Sequence, residues 1–258
     1  MVRSTLAASD DLTCDDFLGG KLRIWQPRIG YRAGVDPVIL AASVPAKSGD
    51  TILELGCGVG VAALCIAARV QDVQITGVEV QVDYAALAQR NALKNNMAFD
   101  VITADLRDLP ADLRQKRFSH VIMNPPYFDR SAGTPSTDAG RDIAFGGDTP
   151  LSDWITTGAK RVGPRGYLTI IQRMERLPEV LSALEGRLGA IIVRPIAGRA
   201  ARAPELFILQ ARQEGRAAFR MAPALVTHEG DCHGGDQESY MAEVSEALRN
   251  GEELPILP

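Results

Sequence analysis

The run Thr51-Ile52-Leu53-Glu54-Leu55-Gly56-Cys57-Gly58-Val59-Gly60 constrains this chain more than any other. A short apolar strand enters three alternate glycines, and residues 61–70 then read as a helix. Glycine turns the backbone tightly without a Cβ penalty and lets a ligand approach the main chain. A strand, a glycine turn and a helix together open a βαβ unit, with the helix N-terminus aimed at whatever lies over the turn. The spacing is G-x-G-x-G, and Val61 stands where a G-x-G-x-x-G fingerprint would place its last glycine. That argues against an NAD site.

The alternation continues. Ile75-Thr76-Gly77-Val78-Glu79 reads as a second strand, residues 100–104 as a third and residues 118–123 as a fourth. Residues 167–171 make a buried fifth strand, and residues 190–193 and 205–210 give two more. Between them, Asp83 can cap a helix to about Asn95, Ser152 starts a helix carrying Trp154 and Ile155, and Val180, Leu181, Leu184 and Leu188 mark another closed by Gly189. Ahead of these, Leu22-Arg23-Ile24-Trp25 alternates like a short strand, and Asp36-Pro37 has the form of an N-cap followed by a first-turn proline. Strands alternating with helices imply an α/β, doubly wound, mostly parallel sheet that binds ligands at the carboxyl ends of its strands.

Four of those ends carry chemistry, the glycine turn after the first strand being one. Glu79 closes the second strand roughly 20 residues past the glycines, where a carboxylate can accept both ribose hydroxyls of a nucleoside. Asp105 follows the third strand and is a candidate partner for an adenine amine. After the fourth strand comes Asn124-Pro125-Pro126-Tyr127. The second proline has no N–H to donate, which leaves nearby carbonyls free to accept, while Asn124 adds an amide acceptor and Tyr127 a flat face. Such a turn suits a planar molecule held by an exocyclic NH2 and stacked on its ring. Singly, an acid at a strand end is more often a cap or a solvated turn; the ordered set is much less expected by chance.

This order resembles the class I S-adenosylmethionine (SAM) dependent methyltransferases of the amino-group type over residues 30 to 215, with N-P-P-Y as its most specific part. It is similar in finer detail to the bacterial family that methylates N6 of an adenine beside the anticodon of valine tRNA. Phe128, the segment from Arg32 to Leu40 and the segment from Pro223 to Glu229 carry that likeness. In place of the family's late Tyr-Thr pair, this chain has Ser239-Tyr240-Met241 after a Gly-Gly. The resemblance implies a Rossmann-like seven-stranded sheet whose last strand is antiparallel, with SAM as cofactor. Glu54, Gly56, Gly58, Gly60, Glu79, Asp105 and Asn124 then become cofactor-binding candidates, joined by Tyr31, Arg32 and Asp36 at the methionine end. Asn124, Pro125, Pro126 and Tyr127 become the catalytic set, with Tyr127, Phe128, Arg130 and Arg141 toward the substrate.

The 258 residues divide into an N-terminal extension (1–45), a catalytic core (46–215) and an acidic C-terminal extension (216–258). No apolar stretch approaches the ~18 residues of a membrane span, and the N-terminus lacks a signal core. The four cysteines have neither disulfide nor metal spacing, so the expectation is a cytoplasmic protein with reduced thiols, no metal and no membrane partner. The oligomeric state, monomer or homodimer, is open. The net charge is −4, but residues 224–258 hold eight acids against Arg249 alone, so the rest is net positive. Lys21, Arg23, Arg28 and Arg32 form one basic stretch, and Arg194, Arg199, Arg202, Arg212, Arg216 and Arg220 another, available for RNA phosphates. Residues 128–150 show few strand or helix signals, which fits a substrate-ordered lid and equally a segment disordered in the free protein.

Two rivals share the tetrad. A glutamine side-chain amide also presents a planar NH2, so a protein methyltransferase acting on release factors fits, although those enzymes usually carry a larger domain ahead of the glycines. A non-catalytic SAM-binding partner subunit is the other.

Overall fold

In the computed structural model, residues 11–127, 149–230 and 239–257 are described. The described residues begin with an antiparallel hairpin of β1 (Leu12–Phe17) and β2 (Leu22–Pro27). In β2 the expected alternation holds, with Leu22 and Ile24 buried and Arg23 exposed. Sequence reading missed β1, because Thr-Cys-Asp-Asp lacks the period-2 pattern of a half-buried strand.

Next comes α1 (Asp36–Ala42), then β3 (Thr51–Leu55), α2 (Val61–Arg69), β4 (Gln74–Glu79), α3 (Val82–Lys94), β5 (Phe99–Thr103), α4 (Ala111–Gln115) and β6 (Phe118–Met123). The second half holds α5 (Leu151–Arg161), β7 (Val162–Arg173), α6 (Leu177–Leu184), β8 (Gly189–Ala197) and β9 (Leu206–Arg212). Two-residue strands β10 (Arg220–Met221) and β11 (Leu225–Val226) precede α7 (Ala242–Asn250).

Strand order in the sheet is β10-β8-β9-β7-β6-β3-β4-β5, with β11 also on β8. All neighbours are parallel except β9, which is antiparallel to both β7 and β8. The seven long strands are those expected; β10 and β11 extend the sheet beyond them. Alternate residues feed two cores. Ile52, Ile122, Ile171 and Ile208 face one side with Val61 and Leu64 of α2. Leu53, Val121, Ile170 and Leu209 face the other with Trp154 and Ile155 of α5. Burial on both faces is why these strands read as unbroken apolar runs. At Gly158, an added Cβ would lie 2.4 Å from Met123 Cε, so α5 packs directly over the last residue of β6.

Three local expectations are corrected. Val35, not Asp36, occupies the N-cap of α1, and no side chain caps that helix. Gln81 holds the corresponding place before α3, leaving Asp83 in the first turn. The helix through Val180 stops at Leu184, and Gly189 opens β8 instead of closing a helix.

Both ends of the described residues pack into the sheet's core. Leu12, Leu22, Val244, Leu254 and Ile256 belong to the same buried cluster as Ile52 and Leu64. The C-terminal segment is clasped by polar bonds as well: Leu254 N–H donates to Ala42 O (2.8 Å), and Arg194 donates to Pro255 O (2.9 Å) and pairs with Glu243. Arg69 donates to Ala41 O and Val44 O and pairs with Glu253. Arg194, read as a phosphate ligand, is therefore buried structural cement. So is Arg199, which donates to the carbonyls of Glu229 and Gly230.

Candidate active site

The glycine turn is built by two amides on one acceptor. Gly56 N–H and Cys57 N–H both donate to Val78 O, at 2.8 and 3.0 Å, so the turn hangs from the end of β4. Gly58 has φ +54°, and a Cβ there would meet nothing closer than Tyr31 Cε1 at 3.9 Å. Its left-handed backbone and the open space above it both favour glycine.

That open space is a cavity of about 350 Å³ at the carboxyl ends of β3, β4, β5 and β6. It is lined by Tyr31, Arg32, Asp36, Glu54, Gly56, Gly58, Glu79, Asp105, Asn124, Pro125, Pro126 and Tyr127, among others. The ends of these parallel strands thus bring together most of the residues singled out in the sequence. Gly60 is not part of the wall; with φ +90° it holds the N-cap of α2, and a Cβ would strike Phe99. Phe128, Arg130, Arg141 and most of the 128–150 segment lie outside the described residues.

Glu79 is buried, and burial raises its pKa, opposed by backbone donors. Its two oxygens accept Gly58 N–H and Gln81 N–H, each at 2.9 Å, so each keeps lone-pair capacity toward the cavity. Glu54 accepts Ala63 N–H at 3.0 Å, at the positive end of α2. Its burial nevertheless pushes its pKa to about 8, with Glu79 adding repulsion. Asp105 is different: Arg107 donates to both of its oxygens and holds its carboxyl below the usual range. In this structure that carboxylate is committed to an arginine, not left open for an amine.

Arg32 also differs from expectation. Its guanidinium pairs with Asp15 at 2.6 Å and donates to Thr13 Oγ1 and Pro27 O, so it braces the hairpin. Tyr31 N–H donates to the Tyr84 hydroxyl at 3.0 Å. Asp36 accepts the Tyr127 hydroxyl at 2.6 Å; burial raises the pKa of both groups. Among the described residues, no hydrogen bond occupies the Asn124 side chain. The Pro125 and Pro126 carbonyls accept from Gln172 Nε2 at 3.3 and 3.4 Å.

Sequence reading missed Tyr84, Trp154 and Gln172. Tyr84 and Trp154 line the cavity from α3 and α5, but both read as ordinary apolar helix residues. Gln172, in β7, gives no local signal because its partners lie across the sheet. Val80, more than half exposed at the rim, and Leu106 add apolar surface for a flat ring. A concave, mostly apolar cavity with a few converging polar groups is the usual form of a small-molecule site. Its size, the glycine approach and the buried acid on the second strand fit a nucleoside-bearing ligand. Among the described residues, no cluster of His, Cys, Asp or Glu is placed to hold a metal, and no helix is long and apolar enough to cross a membrane.

Residues 34–143 match the family model of the methyltransferase small domain. The tRNA1(Val) (adenine(37)-N6)-methyltransferase of Tolumonas auensis is 30% identical over 195 residues, spanning 73% of this chain and 79% of that protein. The enzyme of the same name from Glaesserella parasuis is 29% identical over 142 residues, a match that spans 54% of this chain and 58% of its relative. Among solved structures, a predicted O-methyltransferase from Agrobacterium tumefaciens superposes with a TM-score of 0.68 at 23% identity, covering 85% of this chain and 98% of that one. The T. thermophilus 16S rRNA N2 G1207 methyltransferase, solved with AdoMet and guanosine, gives 0.55 at 18% identity, covering 78% of this chain and 50% of that one. With this fold and these relatives, the chain belongs to the tRNA1(Val) (adenine(37)-N6)-methyltransferase family and is a SAM-dependent N-methyltransferase.

Proposed function

We propose that this enzyme transfers a methyl group from SAM to the exocyclic N6 amine of an adenine in RNA, in tRNA near the anticodon. One observation carries the reading: the Asn124-Pro125-Pro126-Tyr127 turn lines the same cavity as Glu79 and the glycine loop. The curated relatives, named for adenine-37 of tRNA1(Val), support the choice of base and of RNA.

Glu79 would hold the ribose hydroxyls of SAM, with Gly58 giving close main-chain approach and Val80 and Leu106 flanking its base. Glu54, Tyr31 and Asp36 lie toward its methionine end. When bound, SAM supplies an electrophilic methyl on a sulfonium. The acceptor is weak, because an aromatic amine delocalises its lone pair into the ring. Asn124 Oδ1 and the Pro125 carbonyl accept its two N–H groups, favour a pyramidal nitrogen and aim the lone pair. Holding two reactants in line is worth ~7–11 kcal/mol of barrier. No base is needed before transfer, since the amine sheds its proton once it is cationic. Tyr127 offers a ring for stacking. An unpaired loop base is reached more easily than one in a duplex.

The bonded state of Arg32, Arg194 and Arg199 leaves the phosphate contacts to exposed cations such as Arg202, Arg216 and Arg220. We place the work in the cytoplasm, where tRNA is matured. Pure protein with methyl-labelled SAM and either total tRNA or release factors tests the proposal. Label in RNA, recovered as N6-methyladenosine after digestion, is expected. Label in protein alone would overturn it.

A further inference from the structure

The backbone ladder between β6 and β7 ends at the Met123–Ile170 pair. Beyond it, Pro125 and Pro126 have no N–H with which to continue. Two residues farther along β7, the fully buried Gln172 reaches across this gap. Its Nε2 donates to Pro125 O at 3.3 Å and Pro126 O at 3.4 Å, while its Oε1 accepts Arg173 N–H at 2.8 Å. The amide's orientation is fixed from both ends, since a backbone N–H only donates and a proline carbonyl only accepts.

We propose that Gln172 is a positioning residue for methyl transfer, setting the direction of the Pro125 carbonyl that receives the acceptor amine. The inference rests on the function proposed above, but it needs only a planar NH2 acceptor, whichever macromolecule carries it. A carbonyl oxygen has two lone pairs. Gln172 occupies one on Pro125, which leaves the other for the acceptor amine beside the cavity that Pro125 lines. Without this donor, the buried Pro125 carbonyl and the partly buried Pro126 carbonyl lose their partner, and the turn relaxes toward other donors. A shift on the order of 1 Å in a reacting group costs ~10²-fold in rate.

Three variants separate positioning from simple stability. Gln172→Met keeps length and apolar packing but removes the donors. Gln172→Glu keeps the shape: its protonated form donates one hydrogen, while its ionised form faces two carbonyl oxygens and repels them. Gln210→Met is the control, a buried amide on β9 that donates to the Thr169 hydroxyl, away from the proline turn. The readouts are the SAM dissociation constant by calorimetry, thermal melting, and kcat and KM at saturating SAM across about pH 6 to 9, on whichever acceptor the wild type methylates.

Gln172→Met is expected to lower kcat roughly 100-fold with SAM affinity retained. Gln210→Met should lower melting temperature without that loss. Gln172→Glu should lose kcat as pH rises and regain it on acidification, relative to wild type. A Gln172→Met enzyme with the kcat of Gln210→Met, or a Gln172→Glu profile parallel to wild type, would overturn the inference. If Gln172→Met does not fold, the Gln172→Glu profile decides alone. A wild type that labels protein and not tRNA counts against the RNA substrate and leaves the Gln172 comparison intact.

Discussion

The Tyr127 hydroxyl donates to Asp36 Oδ2 at 2.6 Å, tying the turn after β6 to the first turn of α1. Asp36 was expected as a helix cap. Instead it anchors the ring proposed to stack on the substrate base, so a residue ahead of the glycine loop completes the wall around the Asn-Pro-Pro-Tyr turn.

Tyr127→Phe keeps the ring and removes the donor. A hydrogen bond to a charged group is worth ~1.5–3 kcal/mol, so the variant should melt measurably lower at neutral pH. The pH dependence has a definite sign. Burial raises the Asp36 pKa in the folded state, so the native chain binds this proton more tightly than the unfolded one, and stability falls as pH rises through the raised value. Losing the Tyr127 bond raises that pKa further, and the decline in Tyr127→Phe should be larger and reach higher pH. Identical melting profiles for the two proteins would argue against the coupling.

Glu79→Ala removes the proposed ribose acceptor together with the bonds that hold Gly58 and Gln81. Calorimetry should show SAM binding weakened roughly 10- to 100-fold, the worth of one or two charge-assisted hydrogen bonds. An unaltered dissociation constant would reject the ribose role.

Glu54, with a folded-state pKa of about 8, is largely protonated at neutral pH before any cation enters. A cationic cofactor beside it favours the carboxylate, so SAM binding should release a proton and tighten as pH rises toward about 8. Titrations in buffers of different ionisation enthalpy count that proton. In the free protein the same raised pKa makes stability fall as pH rises from the ordinary carboxylate range to about 8, a slope that Glu54→Gln should flatten. No proton release, with a pH-independent affinity, would contradict the placement of Glu54 against the cofactor.

The central sheet was legible because its strands are buried on both faces and so appear as short apolar runs between glycine, proline and acidic punctuation. The positions of Glu54, Glu79, Asp105 and Asn124 were legible for a related reason: a parallel sheet delivers the residue after each strand to one edge. What those residues bond to was not. Arg107 on Asp105, Asp15 on Arg32 and Tyr127 on Asp36 are side-chain pairings set by tertiary geometry. β1 was missed because it pairs only within a hairpin, and β10 and β11 because two residues carry no periodicity. Gln172 stayed hidden because a buried polar residue in an apolar strand reveals its purpose only through a partner 46 or 47 positions away.

Asn124→Ala tests the account most directly, because it removes the side-chain half of the proposed clamp while leaving Glu79 and the glycine loop in place. Single-turnover transfer from labelled SAM to tRNA should fall by about 10²-fold or more, with the calorimetric SAM dissociation constant close to wild type. Transfer at the wild-type rate, with the cofactor bound normally, would mean that Asn124 does not present the acceptor nitrogen.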